Sequence, residues 1–175
     1  MVFLMSAKLP VPKQIVVHGF LFSRGEKMSK SVGNVVAPAD LVTNYGVDPV
    51  RYFFMREVPF GQDGEVTYEA LIDRVNADLA NGLGNLASRT LTMVRNYFDG
   101  QAPRVFDAEA KIVSDAIAQA KAKFDEEFLP LNFSRALEAA WSGIASVDKF
   151  ITDNQPWKLA KDASAKAQLE AVIST

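Results

Sequence analysis

The chain has 175 residues, of which 49% are hydrophobic, so it can bury the core of one or two small domains. Its formal net charge of −2 gives no overall basic field for nucleic acid, although a local patch could still bind RNA. The absence of cysteine excludes disulfides and thiolate zinc sites, and a single histidine excludes a multi-histidine metal cluster. The sequence has no signal-peptide pattern and no apolar run long enough for a membrane span, so the cytoplasm is the expected compartment.

The first 26 residues predict short extended elements. Residues 15–17 form an uninterrupted β-branched run, typical of a strand buried in a parallel sheet, and its partner strands are expected outside this chain or in another copy. Residues 20–22 predict a second short strand, and Gly25 suits the turn that follows it. His18 lies between the two runs, where a lone histidine either contacts a ligand or has a structural role.

The turn leads into five consecutive residues that can bind anions, Lys27, Met28, Ser29, Lys30 and Ser31. The two ammonium groups can neutralise phosphate charge, while hydroxyl and free backbone N–H groups can donate hydrogen bonds to phosphate oxygens. No nucleophile or acid–base pair is present, so the chemistry predicted here is stabilisation of charge during phosphoryl or nucleotidyl transfer. A bare pair of lysines at this spacing is also typical of a solvated turn.

Two short helices are predicted after this loop. Pro38 suits the first turn of one helix and Gly46 its end. Asp48 and Pro49 predict the cap and first turn of another helix over residues 50–55.

Residues 67–175 predict an α-helical bundle. Thr67 is a plausible N-cap for a first long helix, and Gly82 and Gly84 predict a kink or break within it. Apolar residues recur at helical spacing along it: Leu71, Val75, Leu79, Leu83, Leu86, Met93 and Tyr97.

Further helices of the bundle are predicted from caps and stops. Asp107 is the predicted cap of a second helix ending near Phe128, and Asn132 that of a third. A last helix is predicted to follow Pro156. The third helix carries a predicted buried stripe: Phe133, Leu137, Trp141, Ile144 and Ile151.

Two groups of residues in the bundle suit base recognition. Asn85 and Arg89 are four residues apart, so an amide and a guanidinium project from one helical face, as in many surface pairs. Pro156 precedes Trp157, whose indole is either part of the core or a platform on which a base can stack.

The five-residue loop resembles the signature loop of class I aminoacyl-tRNA synthetases. The run over residues 57–64, Glu-Val-Pro-Phe-Gly-Gln-Asp-Gly, resembles the methionine-specific members rather than those for leucine, isoleucine or valine. The resemblance implies that residues 27–31 bind ATP, accompanied by Mg²⁺ on the nucleotide, and that Lys27 and Lys30 are catalytic. It also implies that Asn85, Arg89, Pro156 and Trp157 bind the anticodon.

The resemblance further implies a mainly α chain, in which a helical bundle follows the edge of a Rossmann-like catalytic domain with one or two short strands. Residues 1–36 would end the catalytic domain, residues 37–66 would connect, and residues 67–175 would form an anticodon-binding bundle. The implied partners are tRNA(Met), ATP, methionine and an N-terminal catalytic half that this chain lacks. No membrane partner and no metal site in this chain are expected.

Two alternatives remain open at this stage. The chain could derive from another class I synthetase, of the leucine, isoleucine or valine type. It could also be a non-catalytic tRNA-binding module whose lysine loop is vestigial.

Overall fold

The structure, a computed structural model, describes residues 2–105 and 108–175. It is mainly helical with a short strand edge, as the resemblance predicted, although the described residues form three short strands in one small sheet rather than one or two. In chain order the elements are α1 (Val2–Ser6), β1 (Leu21–Ser23), β2 (Glu26–Lys27), α2 (Pro38–Tyr45), α3 (Val47–Glu57), β3 (Gly64–Glu65), α4 (Tyr68–Arg74), a π-helix (Val75–Gly84), α5 (Asn85–Phe98), α6 (Ala108–Phe128), α7 (Phe133–Asn154), α8 (Pro156–Leu159), a 3₁₀ turn (Ala163–Ala165) and α9 (Lys166–Ser174). Within the described ranges, no helix combines the length and the apolar character that crossing a bilayer requires.

The sheet has the strand order β2-β1-β3 and delivers the lysine loop. β1 and β2 are antiparallel, with Phe22 opposite Lys27, whereas β1 and β3 are parallel. Arg24 and Gly25 join β1 to β2 with φ values of 56° and 76°, the two positive angles of a type I′ hairpin turn. The predicted second strand and the turn containing Gly25 are therefore confirmed.

The strand predicted over residues 15–17 stays a prediction, because its partner strands were expected outside this chain or in another copy. These residues form no strand, and Ile15 and Val17 are 68% and 75% exposed. A strand exists only through hydrogen bonds to a neighbour, and the described residues provide none for this segment.

The caps of the short helices are only partly as predicted. α2 spans Pro38 to Tyr45 and ends at Gly46, as expected. α3 begins at Val47, one residue before Asp48, and its N-cap residue is Gly46 rather than the predicted Asp48. The φ of 85° at Gly46 turns the chain directly from one helix into the next, which leaves Asp48 in the first helical turn.

The first long helix of the bundle does not break at its glycines. Thr67 caps α4 as predicted, and its hydroxyl accepts a hydrogen bond from the Ala70 N–H at 3.1 Å. The helix then widens into a π-helix and continues as α5. A Cβ on Gly84 would lie 2.9 Å from the carbonyl oxygen of Leu79, five residues earlier, so glycine permits this close i to i−5 approach.

α6 and α7 pack against each other through small residues. Asp107, the predicted cap of α6, lies outside the described residues, whereas the predicted end of this helix at Phe128 is confirmed. Asn132 precedes α7 as predicted, but its side chain donates to Glu127 and makes no cap hydrogen bond. A Cβ on Gly143 would lie 3.0 Å from that of Ala120, so the two helices approach too closely there for large side chains.

The buried stripe predicted for α7 is therefore wrong in most positions. Of the five predicted residues only Ile151 is buried, and the others are half-buried: Phe133, Leu137, Trp141 and Ile144. The fully packed positions belong instead to Ala136, Ala139 and Gly143. Beyond α7 the predicted last helix is divided into α8, the 3₁₀ turn and α9.

A compact apolar cluster holds the sheet, α2, α3 and α4 together. Its buried members are Leu41, Val50, Phe53, Val66 and Leu71. Leu21 of β1 and Met28 of the lysine loop pack against this cluster. The loop therefore rests on the same core that supports α3.

Candidate functional site

The lysine loop begins as a continuation of the hairpin. Lys27 is the last residue of β2, and the Met28 N–H donates to the Leu21 carbonyl at 3.0 Å. Because the half-buried Met28 packs on the apolar cluster, the middle of the loop is anchored while its polar residues remain at the surface.

Asn34 ties the two ends of the loop together. Its Oδ1 accepts from the Ser29 N–H at 2.8 Å, and its Nδ2 donates to the Lys27 carbonyl at 3.2 Å. The hydroxyls of Ser29 and Ser31 are 2.8 Å apart. Sequence reasoning missed this role of Asn34, although asparagine commonly bonds nearby backbone in turns.

Both ammonium groups of the loop are available to an anion. Lys27 and Lys30 are exposed, and within residues 2–105 and 108–175 no carboxylate lies within 4.0 Å of either Nζ. The Lys27 Nζ lies 3.4 Å from the centroid of the Phe20 ring, a cation–π contact. The loop therefore presents positive charge that no described acidic side chain neutralises.

Residues 62–65, at the end of the run over residues 57–64 and just beyond it, contact the hairpin and the residues before it. Asp63 Oδ1 accepts from the Phe20 N–H at 2.7 Å, and Glu65 Oε1 accepts from the Gly25 N–H at 3.2 Å. A Cβ on Gly19 would lie 2.1 Å from the Gln62 carbonyl oxygen, so only glycine allows this approach. Gln62 and Asp63 of this run, together with Glu65 just after it, thus help to hold the hairpin that leads into the lysine loop.

His18 lies at the surface, just before the hairpin that leads to the lysine loop. It is exposed, and its Nδ1 donates to the neighbouring Gly19 carbonyl at 2.7 Å. Neither the ligand-binding nor the structural interpretation of this histidine is decided by that contact, and both stay predictions.

Asn85 and Arg89 lie in the first turns of α5, immediately after the π-helix. Asn85 is exposed, whereas Arg89 reaches across to α7, where its Nη2 donates to Asp148 Oδ1 at 2.5 Å. The Arg89 Nε is buried and has no hydrogen-bond partner among the described residues. Asp148 was not predicted, because nothing in its local sequence indicates a partner 59 residues away.

Pro156 and Trp157 form the start of α8. Gln155, with a φ of 46°, ends α7 and turns the chain, and Pro156 is buried at the first position of α8. Trp157 is half-buried and is not one of the buried core residues, so a core role does not account for its whole surface. α8 directly follows α7, the helix whose Asp148 pairs with Arg89. Asp148 lies six residues, or about 9 Å along the axis, before the end of α7.

The predicted site residues thus fall into two groups. Residues 27–31 lie on the sheet and its apolar cluster. The second group is carried by α5 and α8, and the Arg89–Asp148 pair links α5 to the helix that leads into α8. One group offers cations to an anion, and the other offers an amide, a guanidinium and an indole.

Comparison with known proteins connects this chain with one family. The profile of the family described as "tRNA synthetases class I (M)" matches residues 1–91. A methionine–tRNA ligase of Caldanaerobacter subterraneus subsp. tengcongensis is 49% identical over 97% of this chain and 27% of its own length. A methionine–tRNA ligase of Brucella suis is 48% identical over 94% of this chain and 32% of its own length.

The fold leads to the same family. The structure of Mycobacterium tuberculosis methionyl-tRNA synthetase in complex with methionyl-adenylate superposes with a TM-score of 0.87 and 43% sequence identity. The match covers 98% of this chain and 35% of that one, so the chain spans about a third of the length of its relatives. With the family profile, the curated relatives and the solved structure in agreement, the chain belongs to the methionyl-tRNA synthetases of class I.

Proposed function

We propose that this chain is the part of a methionine–tRNA ligase that supplies the ATP-stabilising lysine loop and recognises the anticodon. The complete ligase would form methionyl adenylate from methionine and ATP in the cytoplasm, and then transfer methionine to tRNA(Met). The observation that carries this proposal is the lysine loop: two ammonium groups without a described carboxylate partner, on a backbone held by Asn34, in a chain of this family.

The loop would act during adenylate formation. The methionine carboxylate attacks the α-phosphate of ATP, which carries Mg²⁺, and pyrophosphate leaves. Negative charge builds up on the phosphate oxygens, and the ammonium groups of Lys27 and Lys30 would stabilise it. The half-buried Met28 would keep the loop on the core, while Ser29 and Ser31 would orient its backbone.

The bundle would recognise the CAU anticodon. Asn85 and Arg89 would hydrogen-bond the edges of an unstacked base, and Trp157 would offer its ring for stacking beside Pro156. Asp148 would hold the Arg89 guanidinium in place before the RNA arrives, since the two side chains already form a charge-assisted hydrogen bond.

The division of labour along the chain follows from this assignment. Residues 1–36 would complete the catalytic domain, residues 37–66 would connect it to the bundle, and residues 67–175 would bind the anticodon. The methionine pocket and the rest of the ATP site would be supplied by the N-terminal portion present in the longer relatives. We therefore expect the 175-residue polypeptide, purified by itself, to catalyse no methionine-dependent ATP–pyrophosphate exchange.

The test is ATP–pyrophosphate exchange by the complete ligase that contains this chain. Lys30→Ala should raise the barrier to adenylate formation by about 2–4 kcal/mol, the usual effect of removing one preorganised charge stabiliser. Methionine binding should hardly change. Lys121→Ala, at an exposed lysine of α6, is the matched control and should leave the rate unchanged.

Two results would contradict the proposal. If the Lys30→Ala ligase activated methionine at the wild-type rate in a single turnover, the role assigned to Lys30 would be wrong. A complete protein that binds tRNA(Met) but never catalyses exchange would instead support the alternative of a non-catalytic tRNA-binding module.

A further inference from the structure

A polar cluster joins three helices between the two functional regions. We call it the Tyr52 cluster and define it as Tyr52, Arg56, Arg74, Asp78 and Trp141. The Tyr52 hydroxyl donates to Asp78 Oδ2 at 2.6 Å and accepts a hydrogen bond from the Trp141 indole N–H. The rings of Tyr52 and Trp141 also meet edge to face, with centroids 6.0 Å apart. These contacts link α3, the π-helix and α7 at one point.

Two guanidinium groups balance the central carboxylate of the cluster. The side chain of Asp78 is 19% exposed, and its Oδ2 lies 3.8 Å from Arg56 Nε and 3.5 Å from Arg74 Nη1. The outer side of each arginine meets a further acid, Glu138 at 3.1 Å and Glu57 at 2.7 Å. Burial and the hydrogen bond to Asp78 raise the pKa of the Tyr52 hydroxyl, so it remains a donor over the physiological range.

One side of the cluster leads to the lysine loop. On α3 the residue after Tyr52 is Phe53, which is fully buried in the apolar cluster. Met28 of the loop packs against that same apolar cluster. A shift of α3 would therefore move the support on which the loop rests.

The other side leads to the residues assigned to the anticodon. Asp78 lies seven residues before Asn85 on one continuous helical path. Trp141 lies seven residues, two helical turns, before Asp148 on the same face of α7, and Asp148 holds Arg89. A Cβ on Gly82 would lie 3.6 Å from the Trp141 ring, so this ring packs directly on the π-helix.

We propose that Tyr52, Asp78 and Trp141 are positioning residues that fix the anticodon-binding helices relative to the lysine loop. This inference rests on the proposed function of the two regions. Hydrogen bonds and ion pairs have narrow geometric tolerances, whereas an apolar contact between helices can slide. The cluster therefore sets the orientation of the anticodon-binding helices relative to the lysine loop. In this orientation one tRNA can bind the bundle through its anticodon while its acceptor end reaches the catalytic site.

The first test measures orientation directly in the 175-residue chain. Since the sequence has no cysteine, Asn44→Cys on α2 and Thr92→Cys on α5 give a clean pair of spin-label sites at exposed positions. Double electron–electron resonance should give one narrow distance distribution for the labelled reference. Tyr52→Phe, which removes a single oxygen, should broaden or shift it, and Asp78→Asn should do the same. Tyr97→Phe on α5 is the matched control.

An unchanged distribution in both folded variants would overturn the proposal. Loss of folding in both, judged by circular dichroism, would also overturn it, because the cluster would then serve stability alone.

The second test separates positioning from binding in the complete ligase. Tyr52→Phe should lower kcat for aminoacylation by about tenfold to a hundredfold, the effect of misplacing reacting groups by around 1 Å. ATP–pyrophosphate exchange and affinity for a CAU anticodon hairpin should stay at wild-type values. Equal losses in all three assays would argue against positioning. A wild-type ligase without exchange activity would refute the proposed function, while the spin-label distances would still decide the role of the cluster.

Discussion

Replacing Asn34 with alanine should disorganise the lysine loop without touching a lysine. The variant removes two hydrogen bonds, from the Ser29 N–H to Oδ1 at 2.8 Å and from Nδ2 to the Lys27 carbonyl at 3.2 Å. A third contact, from Nδ2 to the Glu26 carbonyl, is 3.5 Å long and is not counted, because hydrogen bonds weaken steeply at that length. The side chain is half-buried, and its loss leaves no other described partner for the Ser29 N–H.

The size of the effect follows from these two bonds. An intramolecular hydrogen bond contributes about 0.5–1.5 kcal/mol net, so the loop loses roughly 1–3 kcal/mol of organisation. If all of this loss appears in the barrier to adenylate formation, the rate falls by about 5- to 150-fold. Overall stability should hardly change, since Met28 still anchors the loop to the apolar cluster.

Two assays check this expectation. Amide hydrogen exchange on the 175-residue chain should be faster at Ser29 in Asn34→Ala than in the wild type, and single-turnover activation by the complete ligase should be slower. Asn44→Ala, at an exposed position of α2, is the matched control and should change neither. If Asn34→Ala showed both the wild-type rate of amide hydrogen exchange at Ser29 and the wild-type rate of activation, the reasoning would be refuted.

Three further predictions concern the bundle and the Tyr52 cluster that joins it to α3. Trp157→Ala and Arg89→Ala should raise KM for tRNA with a CAU anticodon and leave ATP–pyrophosphate exchange intact. The expected loss of binding free energy is about 1–3 kcal/mol for the stacking surface and about 1.5–3 kcal/mol for each charge-assisted hydrogen bond. Early melting, together with an equal loss for an anticodon-altered tRNA, would mean that the residue is structural. Asp148→Asn should weaken binding of a CAU hairpin in calorimetry yet hardly move the melting temperature, since a partly exposed ion pair contributes about 0.2–1 kcal/mol. The Tyr52 pKa is raised in the folded chain, so the stability that Tyr52 adds over Tyr52→Phe should be fully present below pH of about 10 and decline as pH rises further, which urea unfolding at several pH values would measure.

Local chemistry predicted the helix boundaries best. Pro38 starts α2, Gly46 ends it and Thr67 caps α4, because each of these residues acts on its own few neighbours. Residues 15–17 form no strand in the described structure, since β-branched composition indicates strand preference but cannot supply a pairing strand.

Long-range contacts were the part that the sequence could not predict. Residues 27–31 were identified as a candidate anion site from their order alone, but the support that Asn34 gives them became visible only in the structure. The Arg89–Asp148 pair and the π-helix likewise depend on how helices meet in space. The roles of residues 27–31, Asn85, Arg89 and Trp157 stay predictions until the variants above are measured.

In the function proposed above, the Phe20 ring would compete with the nucleotide for the Lys27 ammonium. An exposed cation–π contact contributes about 0.5–1 kcal/mol, so an ammonium that must leave the ring to meet a phosphate binds it about two- to fivefold more weakly than a free one. Because this cost is the same for every anion, the ring at position 20 would lower the affinity of Lys27 for phosphates in general without selecting among them.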